Sequence, residues 1–305
     1  MISGDANDGT LFRTADAQML GVSKRQLAKN AERRLTRGVY AKDLRDTGFE
    51  ARVRAVMVAV GPRVAASHFT AARLLGGVVP HRSALHVTSP LSKRVQRVGV
   101  ISHRSRRSIR TTSVRGLCVT TGTQTFLDLA AMLDLVDLVV LGDSLVACGA
   151  STLEDLLSGA AGWRGTGVAN ARRVANLVRG SVASPMETRL RLLMVLAGLP
   201  EPTVDHRLYD ADGRLTYRLD LAYPHCKLGI EYDGRHHAET DEQWNHDLRR
   251  REDFDGSGWR LVIVNGQQFY RDPGAVLDRI VAAARQQGLS LPSPNLLWRR
   301  HFSVA

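Results

Sequence analysis

The sequence predicts an α+β chain of several domains. These are an N-terminal winged helix-turn-helix (1–44), a middle α/β domain (45–180), a C-terminal domain of strands with flanking helices (181–290) and a short tail (291–305). Three observations lead there. At 305 residues the chain exceeds a typical single domain of about 100–150 residues. Segments of helical spacing are interleaved with short runs of two-residue alternation. Charge is also divided along the chain: residues 1–115 hold 22 Lys/Arg against 7 Asp/Glu, whereas residues 116–305 hold 20 against 23, so the whole net charge of +12 arises in the N-terminal part.

The hydrophobic share of 44% is that of a globular protein with a sizeable core. No apolar run approaches the roughly 20 residues of a membrane helix. Residues Met1 to Thr10 are polar and acidic, without a signal-type hydrophobic segment. Cys118, Cys148 and Cys226 are widely spaced, which argues against a disulfide framework or a Cys-x-x-Cys metal site. A cytoplasmic protein with no membrane partner is expected. A basic part joined to an acid-bearing part suits a protein that grips a polyanion at one end and acts on it at the other; a merely solvated basic surface is the plain alternative. The oligomeric state leaves no mark in the sequence.

Within residues 11–42, Thr14 to Leu20 reads as a short helix stopped by Gly21. Ser23 caps a second helix and Gln26 completes the capping box. That helix carries Lys24, Arg25, Lys29, Arg33 and Arg34 beside the apolar Leu27, and Leu35 to Tyr40, with Arg37-Gly38 at its centre, reads as a tight-turned wing. A helix so rich in cations suits the major groove while a wing meets phosphate. Double-stranded DNA is therefore the expected partner, with Lys24, Arg25, Lys29, Arg33 and Arg37 as contacts. The segment resembles the winged-helix domain of AbiEi-type abortive-infection antitoxins.

In the middle domain, helices are expected over Phe49–Val60, ended by Gly61-Pro62, and over Ser67–Leu75 before Gly76-Gly77. Further helices are expected from about Thr123 to Leu133, Val136 to Ala147, Thr152 to Leu157 and Val168 to Val178, with a breaker-rich turn at 158–167. Leu85–Thr88 and Val98–Ile101 read as strands. The cluster Arg104, Arg106, Arg107 and Arg110 reads either as a phosphate-contacting loop or as a solvated one. His68 and His86 read as packed or surface residues, not ligands. This block resembles the middle domain that accompanies AbiEi-type winged helices.

The C-terminal domain carries the chemistry. Arg218–Tyr223 and Leu228–Gly234 alternate as half-buried strands, and a hairpin around Pro224-His225-Cys226-Lys227 joins them. A symmetric register places Leu221 opposite Ile230, Leu219 opposite Tyr232 and Asp220 opposite Glu231, with Asp233 on the same face as Glu231. Opposed like charges repel, and a divalent cation held by oxygen ligands would relieve them; solvated residues on an open sheet face would show the same alternation. Ser184-Pro185-Met186-Glu187 is a helix start with a capping box, which by itself accounts for Glu187. His225, Cys226, His236 and His237 lack the paired short spacings of a tetrahedral zinc set.

Asp220, Glu231-Tyr232-Asp233-Gly234, His237, the Asp247…Arg250 pair and the strand entry Gly258-Trp259 together resemble the PD-(D/E)XK nuclease superfamily, and within it the branch near the very-short-patch-repair endonucleases. The resemblance spans roughly 184–287. It implies a restriction-endonuclease-like α/β/α fold with a mixed sheet, and a DNA endonuclease of repair or phage defence. The implied cofactor is Mg²⁺ or Mn²⁺ held by Asp220 and Glu231, with a helical Glu187 near the ion. Asp233 occupies the place of the motif Lys, as in that branch, and His237 is the matching proton-transfer position. Arg250 stands where it can clamp a phosphate, although i,i+3 pairing with Asp247 is as easy. The antitoxin-like front half also allows a rival role, a DNA-binding regulator whose nuclease fold has lost turnover.

Overall fold

A computed structural model describes residues 10–17, 19, 22–23, 25–26, 34–36, 38–42, 48–90, 92, 95–106, 108–234, 253–254 and 256–302. The chain divides into two units, one built from Met1–Leu133 with Cys148–Leu177 and the other from Asp134–Ala147 with Val178–Ala305.

In the first unit, β1 (Thr10–Arg13), β2 (Arg34–Thr36) and β3 (Val39–Lys42) form an antiparallel sheet ordered β1-β3-β2. Phe12 and Ala17 pack there with Val22 and Tyr40. Where a helix is expected from Thr14, a 3-10 turn forms at Thr14–Asp16, directly after the strand Thr10–Arg13 that pairs with β3. The capping box forms as its residues predict: the Ser23 N–H donates to Gln26 Oε1 at 2.8 Å, and the Gln26 N–H donates to Ser23 Oγ at 3.3 Å. Arg25 is exposed, while Lys24, Lys29, Arg33 and Arg37 lie outside the described residues.

Helix α1 (Phe49–Val60) ends at Gly61, and α2 (His68–Leu74) follows Ser67, both close to expectation. The strands β4 (Ala65–Ala66), β5 (Leu85–Pro90), β6 (Val100–Ser105), β7 (Thr111–Val114) and β8 (Leu117–Thr120) form a sheet ordered β6-β5-β4-β8-β7. Val53, Val56, Val60, Val87 and Val119 supply its core. Val119 sits in the β7–β8 hairpin. Its two-residue turn is Arg115-Gly116, both at positive φ (48° and 75°), the twist-matched geometry of a type I′ turn. Glu50 holds this turn by accepting from Arg115 and Arg54, and Arg54 donates to the Arg115 carbonyl at 2.8 Å. Arg104 lies exposed on β6 and not in a loop, Arg106 and Arg110 are exposed beyond it, and Arg107 is outside the described residues.

Helices α3 (Gly122–Leu129), α4 (Leu135–Ala147), α5 (Leu153–Gly162) and α6 (Val168–Ala175) come next, with α4 belonging to the second unit. Thr121 and Thr152 cap α3 and α5 through the Gln124 and Asp155 N–H groups. Helix α5 runs through the stretch expected as a turn, because Leu156 and Ala160 at i,i+4 both bury their side chains.

His68, His86 and His103 meet on this unit's sheet. Burial holds His68 down to about 3 and His86 down to about 4, and the neighbouring His103 ring adds to both. Unfolded, each returns to about 6.5. Below that value the unfolded chain binds protons that the folded chain refuses, so stability falls as pH falls through this window. The melting temperature is expected to be level above about pH 7 and to decline steadily from about pH 6.5 toward 4. A scanning-calorimetry series that stays flat there would contradict the burial of these rings as neutral groups.

The second unit contains α4, α7 (Pro185–Leu196), β9 (Thr203–Tyr209), β10 (Leu215–Tyr223), β11 (Leu228–Asp233), β12 (Arg260–Asn265), α8 (Gly266–Arg271) and α9 (Pro273–Gln286). Its sheet is ordered β12-β11-β10-β9 and is mixed, since β11 and β12 run parallel and the other pairs antiparallel. Helix α4 is tied in by Asp143, whose carboxylate accepts from the Arg179 N–H (2.7 Å), Thr188 Oγ1 (2.7 Å) and Arg191 Nη2 (3.3 Å). Gly229 is tightly packed in the sheet. A Cβ there would stand 3.0–3.1 Å from the Leu219 and Leu261 methyls. Gly229→Ala is therefore expected to cost about 1–3 kcal/mol, seen as a lower urea midpoint with unchanged slope; an unchanged midpoint would show that both leucines yield freely.

Candidate functional site

The site is built on the β10–β11 hairpin. Leu221 pairs with Ile230, Ala222 with Gly229 and Tyr223 with Leu228, the register that the alternation predicts. Pro224–Cys226 makes a 3-10 turn, and Lys227 completes it in the left-handed region (φ 51°, ψ 44°). The apolar residues are buried on both faces of the hairpin: Leu219, Leu221, Ala222, Leu228 and Ile230 are all inaccessible. It is thus an interior element, and the open solvated face that would have explained Asp220 and Glu231 by simple exposure is not there.

Past the Leu221–Ile230 pair the strands depart from the expected ladder. The Tyr232 N–H donates to Asp220 Oδ2 at 2.8 Å, so a carboxylate stands where a backbone carbonyl would continue the pairing. Across β9, Asp205 lies between the pairs Leu219–His206 and Leu221–Val204 and takes φ +53°, with its own carboxylate engaged by Arg218. The pleat slips at this level. Leu219 joins Ala222 and Phe254 in one core cluster and reaches toward Gly229, although strict alternation would put residues 219 and 222 on opposite faces. The expectation that Leu219 opposes Tyr232 and shares a face with Leu221 is corrected accordingly. The irregularity at Asp205 and Asp220 turns Leu219 over and leaves the Asp220 carboxylate at the seam between β10 and β11.

Glu231, next on β11, is only 9% exposed, and Asp233, two residues on, is half-buried and pairs with Asn265 of β12. Burial, with Tyr270 and Asp233 close by, pushes the Tyr232 phenol up. Glu187, buried at the start of α7, serves the helix end itself. Ser184 Oγ accepts its N–H at 3.2 Å while its Oε2 accepts the Ala183 N–H at 3.0 Å. This is a capping arrangement displaced by one residue from the usual box. The carboxylates of Glu187, Asp220, Glu231 and Asp233 do not close into a three-acid cage. Among the described residues, the three potential ligands whose donor atoms lie within 4.8 Å of one another are His68, His86 and His103. The acids meet instead as strand neighbours around a seam. His237 and Arg250 lie outside the described residues. Two features leave no trace in the sequence pattern: the histidine trio, since its members are far apart in the chain, and Asp205, whose left-handed backbone has no local signature.

In comparison with known proteins, residues 207–284 match REase_MTES_1575, a restriction-endonuclease-like family, which supports a C-terminal nuclease-like domain. The matched span includes Asp220, Glu231, Asp233, His237 and Arg250, and leaves out Glu187 and the N-terminal basic residues. Two Mycobacterium tuberculosis proteins, Uncharacterized protein MT2308 (strain CDC 1551 / Oshkosh) and Uncharacterized protein Rv2248 (strain ATCC 25618 / H37Rv), are each 27% identical over 246 residues, covering 80% of this chain and 89% of theirs. The crystal structure of the RV2827C protein from Mycobacterium tuberculosis aligns over 66% of this chain and 84% of that one, with 13% identity and a TM-score of 0.40. Among the described residues, no helix is long and apolar enough to cross a membrane.

Proposed function

We propose that the chain is a DNA-binding endonuclease that hydrolyses phosphodiester bonds with a divalent ion, Mg²⁺ or Mn²⁺, in DNA repair or phage defence. One observation carries this reading. Asp220, at the β10–β11 seam, and the buried Glu231 next to it lie inside the segment that matches a restriction-endonuclease-like family. The donor set fits a hard cation, because Mg²⁺ takes one or two carboxylates and completes its shell with water and substrate oxygens.

Asp220 and Glu231 would hold the ion, with Glu187 as a further acid the motif resemblance implies. When bound, a divalent ion polarises the scissile phosphate and lowers the pKa of the attacking water. Asp233, in the place of the motif Lys, orients that water or adds an oxygen ligand. His237 takes a proton from the water or returns one to the leaving 3′ oxygen. Arg250 meets the charge on the phosphate. Lys24, Arg25, Lys29, Arg33 and Arg37 of an AbiEi-like winged helix, with Arg104, Arg106 and Arg107, hold the duplex through its backbone. Within the superfamily, the motif resembles that of the very-short-patch-repair branch.

A second reading, a DNA-binding regulator of antitoxin type with an inactive nuclease fold, is favoured by Asp233 standing where a Lys is usual. Incubating the full chain with supercoiled plasmid separates the two. Relaxation in Mg²⁺ or Mn²⁺ that EDTA stops is the expected result. Plasmid that is retained in a gel shift but stays supercoiled with either metal would establish the regulator instead.

A further inference from the structure

We propose that His68, His86 and His103 are the ligands of a transition-metal site of the zinc class in the first unit, unlike the carboxylate site of the second unit in both residues and chemistry. Three elements bring them together: His68 is the first residue of α2, His86 lies on β5 and His103 on β6. One ring nitrogen from each lies within 4.8 Å of the others. His86 Nδ1 and His103 Nε2 are 3.0 Å apart. Two nitrogens on a tetrahedral zinc at 2.0–2.1 Å stand about 3.3 Å from each other, so the pair needs to open only by a few tenths of an ångström.

The surroundings have the marks of a ligand site more than of ordinary packing. Ser67 Oγ lies 3.0 Å from His68 Nδ1, which orients the ring and leaves Nε2 for the ion, as the hydrogen-bond partners of metal-bound histidines do. Phe69 stands edge-on to His86. Thr88 pairs with His103 and lies two residues beyond His86, so all three side chains share a face of the sheet. Its Oγ1 is buried with no hydrogen-bond partner among the described residues, which is costly unless a further group completes it; a water on the ion's fourth position would do so. His68 also holds φ +51°, a strained backbone for a residue with a Cβ, of the kind that clusters at functional sites.

The donor chemistry selects the ion. Neutral imidazole suits zinc, copper and nickel, whereas magnesium and calcium want oxygen. The His68 and His103 rings lie flat on each other, 3.6 Å apart at their centroids and 12° from parallel. Lone pairs in parallel planes do not converge, so binding turns one ring about χ2, a soft torsion. His103 is the least buried of the three.

The test uses the full chain, stripped with a chelator and returned to excess Mg²⁺ so that oxygen sites are filled, then titrated with Zn²⁺ and separately with Co²⁺. The expected result is one tightly bound equivalent, a four-coordinate Co²⁺ visible spectrum and a raised melting temperature. His103→Gln and His68→Asn are expected to weaken that equivalent at least about 100-fold. Asn tolerates the positive φ at position 68, position 103 is only partly buried, and far-UV circular dichroism checks that both variants keep the fold. Binding that is unchanged in both variants, or no uptake of either metal by the wild-type chain, would overturn the assignment.

Discussion

Asp220→Ala is expected to abolish metal-dependent plasmid nicking while the protein still retains duplex in a gel shift. Losing a ligand that helps place charge against the scissile phosphate costs on the order of 10²–10³ in rate or more. In the proposed function duplex is held by the N-terminal part, where 22 Lys/Arg stand against 7 Asp/Glu, and not by this carboxylate. Asp220 also accepts the Tyr232 N–H, so Ala orphans a half-buried donor at about 1–3 kcal/mol. Asp220→Asn separates the two roles, since its amide oxygen can still accept that bond while the charge is gone. Both variants should lose nicking, and only Ala should melt appreciably earlier. A clean preparation of either variant that cuts as fast as wild type would remove Asp220 from the site.

Arg191→Ala should produce the largest loss of stability in the second unit, about 3–5 kcal/mol by denaturant titration. Arg191 is fully buried and bridges Asp143 at 3.3 Å and Glu201 at 2.9 Å, while Arg179 also donates to Glu201. Burial already pushes the Asp143 carboxyl up even with Arg191 beside it, so truncation leaves a desolvated acid without its main counter-charge. Arg191→Met with Asp143→Asn should recover part of the loss, because the amide removes the unpaired charge while its oxygen can still accept from the Arg179 N–H or Thr188 Oγ1. An Arg191→Ala midpoint within error of wild type would show that water reaches Asp143 and solvates it.

The candidate site was partly legible from its residues. Pro224-His225-Cys226-Lys227 between two alternating runs set the hairpin and its register, because side-chain period and turn length together leave one pairing that buries the apolar residues. The box at Ser23 and Gln26 and the cap at Ser184 were equally plain, since each is a contact between residues three apart. The β7–β8 hairpin went unread because its turn is Arg-Gly, not the Asn-Gly or Asp-Gly that advertises positive φ. Strands β4 and β9 were missed because two alanines, or a run kinked at Asp205, gain strand character only from their neighbours.

The sequence by itself determined the local signals: where helices start and stop, which hairpin carries the acids, where the positive charge lies, and the order of motif residues that resembles a nuclease. Tertiary structure alone decided that Asp220 turns into the seam to take the Tyr232 N–H, that helix α4 is bound by Asp143 into the second unit, and that three histidines spread over 36 positions of chain share one pocket. The physical reason is range. Caps, turns and alternation act between residues a few positions apart, whereas a pleat slip or a cluster of rings depends on which distant surfaces pack together, and no short stretch of chain encodes that.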